Sequence, residues 1–140
     1  MHLQLITLTG VSIDKDVYEL IAPTTAGDIA IFPGHEPLVT MAAPGVLAVR
    51  NSKEDKDEKL EYFAISGGII EINPKYIRVL VDAADAGEDI TEADSKAALD
   101  RALKLRESAT SQVDIEKAVQ MIAQQRVRLR VADLQRHRRR

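Results

Sequence analysis

Thr24-Thr25-Ala26-Gly27-Asp28-Ile29-Ala30-Ile31-Phe32-Pro33-Gly34-His35-Glu36-Pro37-Leu38-Val39-Thr40 is the stretch whose reading decides the fold. Ile29 to Phe32 has strand composition, and Pro33-Gly34 stops it with a turn. Pro37 then fixes the backbone just after His35. The same alternation of short strand and turn runs outward in both directions. Leu3 to Leu8 partly alternates, and Val17 to Ile21 is strand-like. Further apolar runs are Val46 to Val49, Tyr62 to Ile65, Ile69 to Ile72 and Ile77 to Val81. Pro44-Gly45, Ser66-Gly67-Gly68 and Asn73-Pro74 punctuate them. Short strands at this spacing predict an antiparallel β-sandwich or flattened barrel over residues 1–86. Asn51 to Lys59 is charged and reads as a solvated hairpin tip.

From Asp89 onward the period changes to that of helices. Thr91 stands three residues before Asp94, the spacing of a capping box. Ala98, Leu99, Ala102, Leu103, Leu105 and Ala109 then form an apolar stripe. Ser108 to Ser111 interrupts it, and Ser111 precedes Asp114 by the same three residues, so a second helix starts there. Ile115, Ala118, Val119, Ile122 and Leu129 are its expected buried side. Two amphipathic helices on a short link make an antiparallel hairpin, so residues 87–140 form a second unit and the class is α+β. The stripe is thin and alanine-rich. Alanine favours the helix but buries little area, so the hairpin is expected to dock weakly.

Composition narrows the functions. Among 140 residues there is no cysteine, which excludes disulfides and Cys-based zinc sites. No run of 18 apolar residues exists, and Met1 to Leu5 lacks the features of a signal peptide, so a soluble, cytoplasmic chain without membrane insertion is expected. His2, His35 and His137 stand alone, without a second ligand at helical spacing, and no phosphate-cradling or nucleophile-elbow motif occurs. Catalytic residues, metal and cofactor are therefore all expected to be none. The net charge of −3 hides a division. Residues 1–88 carry −7 and residues 89–140 carry +4, so the halves are expected to meet different partners.

The series Gly27-x-Ile29-x-Ile31-x-Pro33-Gly34-His35-x-Pro37-Leu38-x-Thr40, followed by Pro44-Gly45, resembles the signature of the ε subunits of F-type ATP synthases. Ser66-Gly67-Gly68 and Val79-Leu80-Val81-Asp82-Ala83-Ala84 fit the same family in order and spacing, and the resemblance spans about residues 1–135. It implies a sandwich of about ten strands and a two-helix domain, in a non-catalytic rotor subunit of the central stalk. Such a subunit couples proton translocation to ATP synthesis. The implied partners are the γ subunit, the c-ring of the membrane sector and, when the hairpin extends, the catalytic α/β head. The implied place is the cytoplasmic face of the bacterial cell membrane, as a peripheral protein. By the same resemblance Asp28 matches the acidic position near the c-ring loops, and His35 belongs to the same Pro-Gly-His edge.

One family feature is missing. Some bacterial members bind ATP through [Ile/Leu]-Asp-x-x-Arg-Ala at the start of the first helix. Here those positions read Ile90-Thr91-Glu92-Ala93-Asp94-Ser95, which puts a carboxylate where a phosphate would need a guanidinium. Weak or absent ATP binding is expected. The last fifteen residues hold seven arginines against the single acid Asp133. In the family, basic residues of the second helix face an acidic loop of the β subunits during inhibition, which makes Arg126, Arg128, Arg130 and Arg136 the candidates. Cations at a helix C-terminus also complement its dipole without any partner. The competing reading is a nucleic-acid-binding β domain with a basic arm. The acidic sheet half and the scarcity of aromatic residues, 4% of the chain, argue against nucleic acid as a partner.

Overall fold

The computed structural model describes residues 1–138; Arg139 and Arg140, at the end of the basic tail, lie outside the described residues. Ten strands come first: β1 (His2–Thr7), β2 (Gly10–Asp16), β3 (Glu19–Thr24), β4 (Gly27–Ile31) and β5 (Leu38–Ala42). They are followed by β6 (Gly45–Arg50), β7 (Glu61–Ile65), β8 (Gly68–Ile72), β9 (Tyr76–Val81) and β10 (Ala84–Ala86). Two helices follow, α1 (Glu92–Ser108) and α2 (Gln112–Arg138).

The strands pair in the order β10-β7-β6-β3-β5-β8-β9-β1-β2, with β4 added alongside β3. Every pair is antiparallel except one. The first strand lies parallel to β9, with Leu3 opposite Ile77 and Leu5 opposite Val79. Parallel neighbours need a long crossover, and the whole intervening chain supplies it. No local pattern announces such a pairing, which sits inside an otherwise antiparallel sheet, between β8-β9 and β1-β2. The sheet also curls until its far ends meet: Lys15 Nζ on β2 lies 3.0 Å from Glu61 Oε1 on β7. The enclosed core holds Leu3, Leu5, Leu20, Ile31, Leu47, Ile70, Ile77 and Val79, all fully buried.

The turn residues have physical reasons to be what they are. Gly27 and Gly34 take φ values of +114° and +85°, a region that side-chain-bearing residues avoid. Gly68 is constrained by space instead, because a Cβ there would lie 2.0 Å from the Leu80 carbonyl oxygen on β9. Ser66, two residues earlier, ties the far side of the same corner. Its Oγ donates to the Ala83 carbonyl at 3.2 Å and accepts from the Ala83 N–H at 2.9 Å.

The charged segment 51–59 is more ordered than a solvated tip. Arg50 donates through Nε to Glu19 at 2.6 Å, through Nη1 to the Asp55 carbonyl at 2.5 Å, and through Nη2 to Asp57 at 2.7 Å. Arg138, at the end of α2, adds a 3.1 Å bond to the Glu58 carbonyl.

The two helices pack on each other, and α2 also lies against β6, β7 and the 3-10 turn Gly87–Asp89 that joins the units. Ser111 caps α2, its Oγ accepting from the Asp114 N–H at 3.2 Å. Thr91 makes no side-chain cap on α1, so the expected capping box does not form. The seam is Ala102, Ala118, Ile122 and Val131, with Ala102 and Val131 at 0% exposure. Ile115 and Leu129 are half-buried. Val119 was expected inside but is exposed: it follows Ala118 by one residue, about 100° around the helix, and faces an open groove.

Candidate functional site

The outer face of β5-β8-β9-β1-β2 is split into two rows. Register places Met41 beside Ile69, Ile69 beside Leu80, Leu80 beside Ile6 and Ile6 beside Val11. This apolar ladder crosses five strands in solvent, with Met41 61% and Ile69 50% exposed. Two residues along, the same face turns polar. Glu71 accepts from Arg78 at 3.3 Å and from the Tyr76 hydroxyl at 3.1 Å, and the Arg78 guanidinium stacks 5.1 Å from the Tyr76 ring centroid. A contiguous uncovered apolar row bordered by ordered polar groups marks a protein contact. Sequence reading missed this ladder. Its signal was present in Ile69-Ile70 and Val79-Leu80-Val81, where consecutive apolar residues put apolar groups on both faces of the sheet.

Asp28 and His35 are not brought together. Asp28 is exposed at the start of β4, opposite Pro23 on β3. His35 lies beyond the other end of β4, in a turn closed by its N–H to the Phe32 carbonyl at 3.2 Å. Its Nδ1 is 2.7 Å from the Glu36 carbonyl oxygen, as a turn histidine bonding a neighbouring carbonyl would be. The two therefore lie at opposite ends of β4.

The four arginines of α2 singled out from the sequence divide into two pairs. Arg128 Nη1 bonds Asp85 Oδ2 of β10 at 2.6 Å, and both groups are only partly exposed. Arg136 reaches Glu92 of α1 at 3.3 Å and also pairs with Asp133. Arg126 and Arg130 are exposed, one turn apart on the same face, and make no ion pair among the described residues. Asp85 and Glu92, the internal partners, were not singled out from sequence, because ion pairs between distant segments leave no local pattern.

At the degenerate nucleotide motif, Glu92 is occupied by Lys96 at 3.1 Å as well as by Arg136. Ser95 is 2% exposed, and its Oγ has no hydrogen-bond partner among the described residues. A polar groove of about 240 Å3 lies nearby, between Glu61, Tyr62, Phe63 and Gly87 on one side and Gln135 and Arg138 on the other.

These features describe a sheet scaffold built to be covered by another protein, carrying an arm whose cations are half sequestered. The sequence model described as "ATP synthase, Delta/Epsilon chain, beta-sandwich domain" matches residues 1–87. The ATP synthase epsilon chain of Rippkaea orientalis is 35% identical over 135 residues, covering 94% of this chain and 96% of the relative. That of Chloroflexus aggregans is 34% identical over 140 residues, covering all of this chain and 97% of the relative. A chain of the Euglena gracilis mitochondrial ATP synthase, solved as OSCP/F1/c-ring, aligns with a TM-score of 0.74 at 25% identity over 94% of this chain and 79% of its own length. A chain of the Tetrahymena thermophila central stalk and c-ring shares the fold, with a TM-score of 0.61 at 13% identity over 94% of this chain and 96% of its own. The chain belongs to the ATP synthase delta/epsilon chain family.

Proposed function

We propose that this chain is a non-catalytic rotor subunit of the central stalk of an F-type ATP synthase. In this reading it helps couple proton translocation to ATP synthesis and restrains ATP hydrolysis through its two-helix arm. The observation that carries the reading is the uncovered ladder Met41–Ile69–Leu80–Ile6–Val11 on a chain that aligns along its whole length with epsilon chains. The γ subunit is the proposed cover for that ladder. Burying five such side chains, at ~25 cal/mol per Å2, supplies several kcal/mol toward holding the sandwich on the stalk.

Asp28, alone on its corner, is the proposed contact for the polar loops of the c-ring. The chain then sits peripherally at the cytoplasmic face of the membrane, held there by its partners. No helix among the described residues is long and apolar enough to cross a membrane. The arm acts when it leaves the sandwich, extends along γ and presents its arginines to the acidic loop of the β subunits.

Arg126 and Arg130 are the clean test of that last step, because neither is tied into the docked arm. Adding the native chain to its cognate ATPase core should lower ATP hydrolysis. The Arg126→Ala/Arg130→Ala chain should bind the core equally and lower hydrolysis less, by roughly the few-fold expected from losing two surface charge contacts. Equal inhibition by both chains would remove the basic face from the account.

A further inference from the structure

Release of the arm, in the function just proposed, requires that something on the sandwich let go of α2. The apolar seam does not choose a moment for this, since apolar contact is non-directional. The polar contacts are more specific. Arg128 is the arginine of the face that reaches the sandwich, and Asp85 receives it at 2.6 Å, with the two side chains 25% and 37% exposed. Asp85 sits on β10, an edge strand whose one ladder partner among the described residues is β7. Next to it Gly87 admits α2 at close range. A Cβ there would lie 3.1 Å from Val131 Cγ1 and 3.1 Å from the Tyr62 carbonyl oxygen. At the far end of the face Arg136 is held by Glu92.

We infer that Asp85 is an internal stand-in for the acidic partner: it clasps Arg128 while the arm is docked, and α2 leaves the sandwich by exchanging this carboxylate for another protein's. The basic face is then built of two functionally different pairs. Arg126 and Arg130 remain exposed in the docked state and make the first contact with an acidic surface. Arg128 and Arg136 become available only as their internal carboxylates are outcompeted. Docking is therefore set by ion pairing as much as by apolar area, and salt or an acidic neighbour shifts it.

The inference rests on the proposed regulatory role only in its consequence, so the test separates the two. Amide exchange of the isolated full chain is measured at low and high salt for the native protein, Asp85→Asn, Asp82→Asn, and the charge swap Asp85→Arg/Arg128→Asp. Asp82→Asn serves as control, since it removes one exposed charge three residues away. Asp85→Asn should speed exchange in α2 about fivefold at low salt, the factor expected for a part-buried charge pair. It should weaken the salt dependence expected of the native chain and leave strand amides unchanged. Asp82→Asn should behave as native, and the swap should restore protection. If α2 exchanges alike in the native and Asp85→Asn chains, the inference fails. Hydrolysis by the reconstituted enzyme is then compared for the same chains. Faster exchange in Asp85→Asn with unchanged hydrolysis would uphold the clasp and overturn the regulatory reading of the arm.

Discussion

Gly68 shows how a residue that identifies the family also has a mechanical reason to be there. With its would-be Cβ 2.0 Å from a backbone oxygen of β9, nothing larger fits unless β8 and β9 separate. Gly68→Ala should cost about 3 kcal/mol, at the upper end of overpacking penalties, and denaturant unfolding measures it. A midpoint within error of the native one would show that the strands separate at little cost. Much of the signature was legible for this kind of reason. Gly27 and Gly34 announce turns, and the Pro-Gly pairs announce strand ends. Ser66 was legible only as a turn residue, and its two hydrogen bonds to Ala83 came from the fold. His2 had no sequence reading beyond its isolation. Its imidazole is held above the ordinary 6.5 by hydrogen bonds to Asp16 first and then Asp14 across the β1–β2 pair. A raised value means that the contribution is complete below about pH 6.5 and disappears as pH climbs through the raised value. The native chain should therefore lose a small increment of stability as pH rises above about 6.5 that the His2→Gln chain does not lose. Parallel unfolding midpoints across that range would contradict it.

At the scale of elements, the helices were placed by period and the strands by punctuation, and both succeeded where the signal was local. The break at Ser108 to Ser111 and the Ser111 cap were readable from side-chain chemistry alone. The failures lie in which positions of the helices cap or face inward. Thr91 does not cap, Val119 faces a groove, and Val131 is the deepest residue of α2, although the stripe did not include it. The short β10 was invisible because three residues of Ala-Asp-Ala carry no strand propensity, and pairing with β7 makes them a strand. The alanine seam leads to a prediction about order. Amides of α1 and α2 should exchange faster than those of β3 and β6 in the isolated chain, since less apolar area holds them. The buried Ser95 hydroxyl, lacking a partner, weakens the docked arm further. Ser95→Ala should slow exchange in α1 by about fivefold, equivalent to the ~1 kcal/mol lower bound for an unsatisfied buried group. Protection of the native helices equal to that of the strands would refute the loose seam.

The whole molecule combines a rigid half that carries the apolar ladder with a docked half that carries the cations. The acidic sandwich and the basic arm were visible as a charge division, and among the described residues the structure turns it into one ion pair across the joint, Arg128–Asp85. The ladder itself needed three dimensions, because its five residues come from five strands and share a row only through register. On this account the sandwich fixes the chain to the stalk, and the arm is what the stalk and head compete for. Copurification of the full chain with its cognate ATPase core tests that most directly, using Ile69→Asp/Leu80→Asp to break the ladder on a face where the core is untouched. The account predicts that the native chain is retained with the stalk and that the double variant, still folded, is lost by about a hundredfold or more in affinity. Equal retention of the two chains would contradict it.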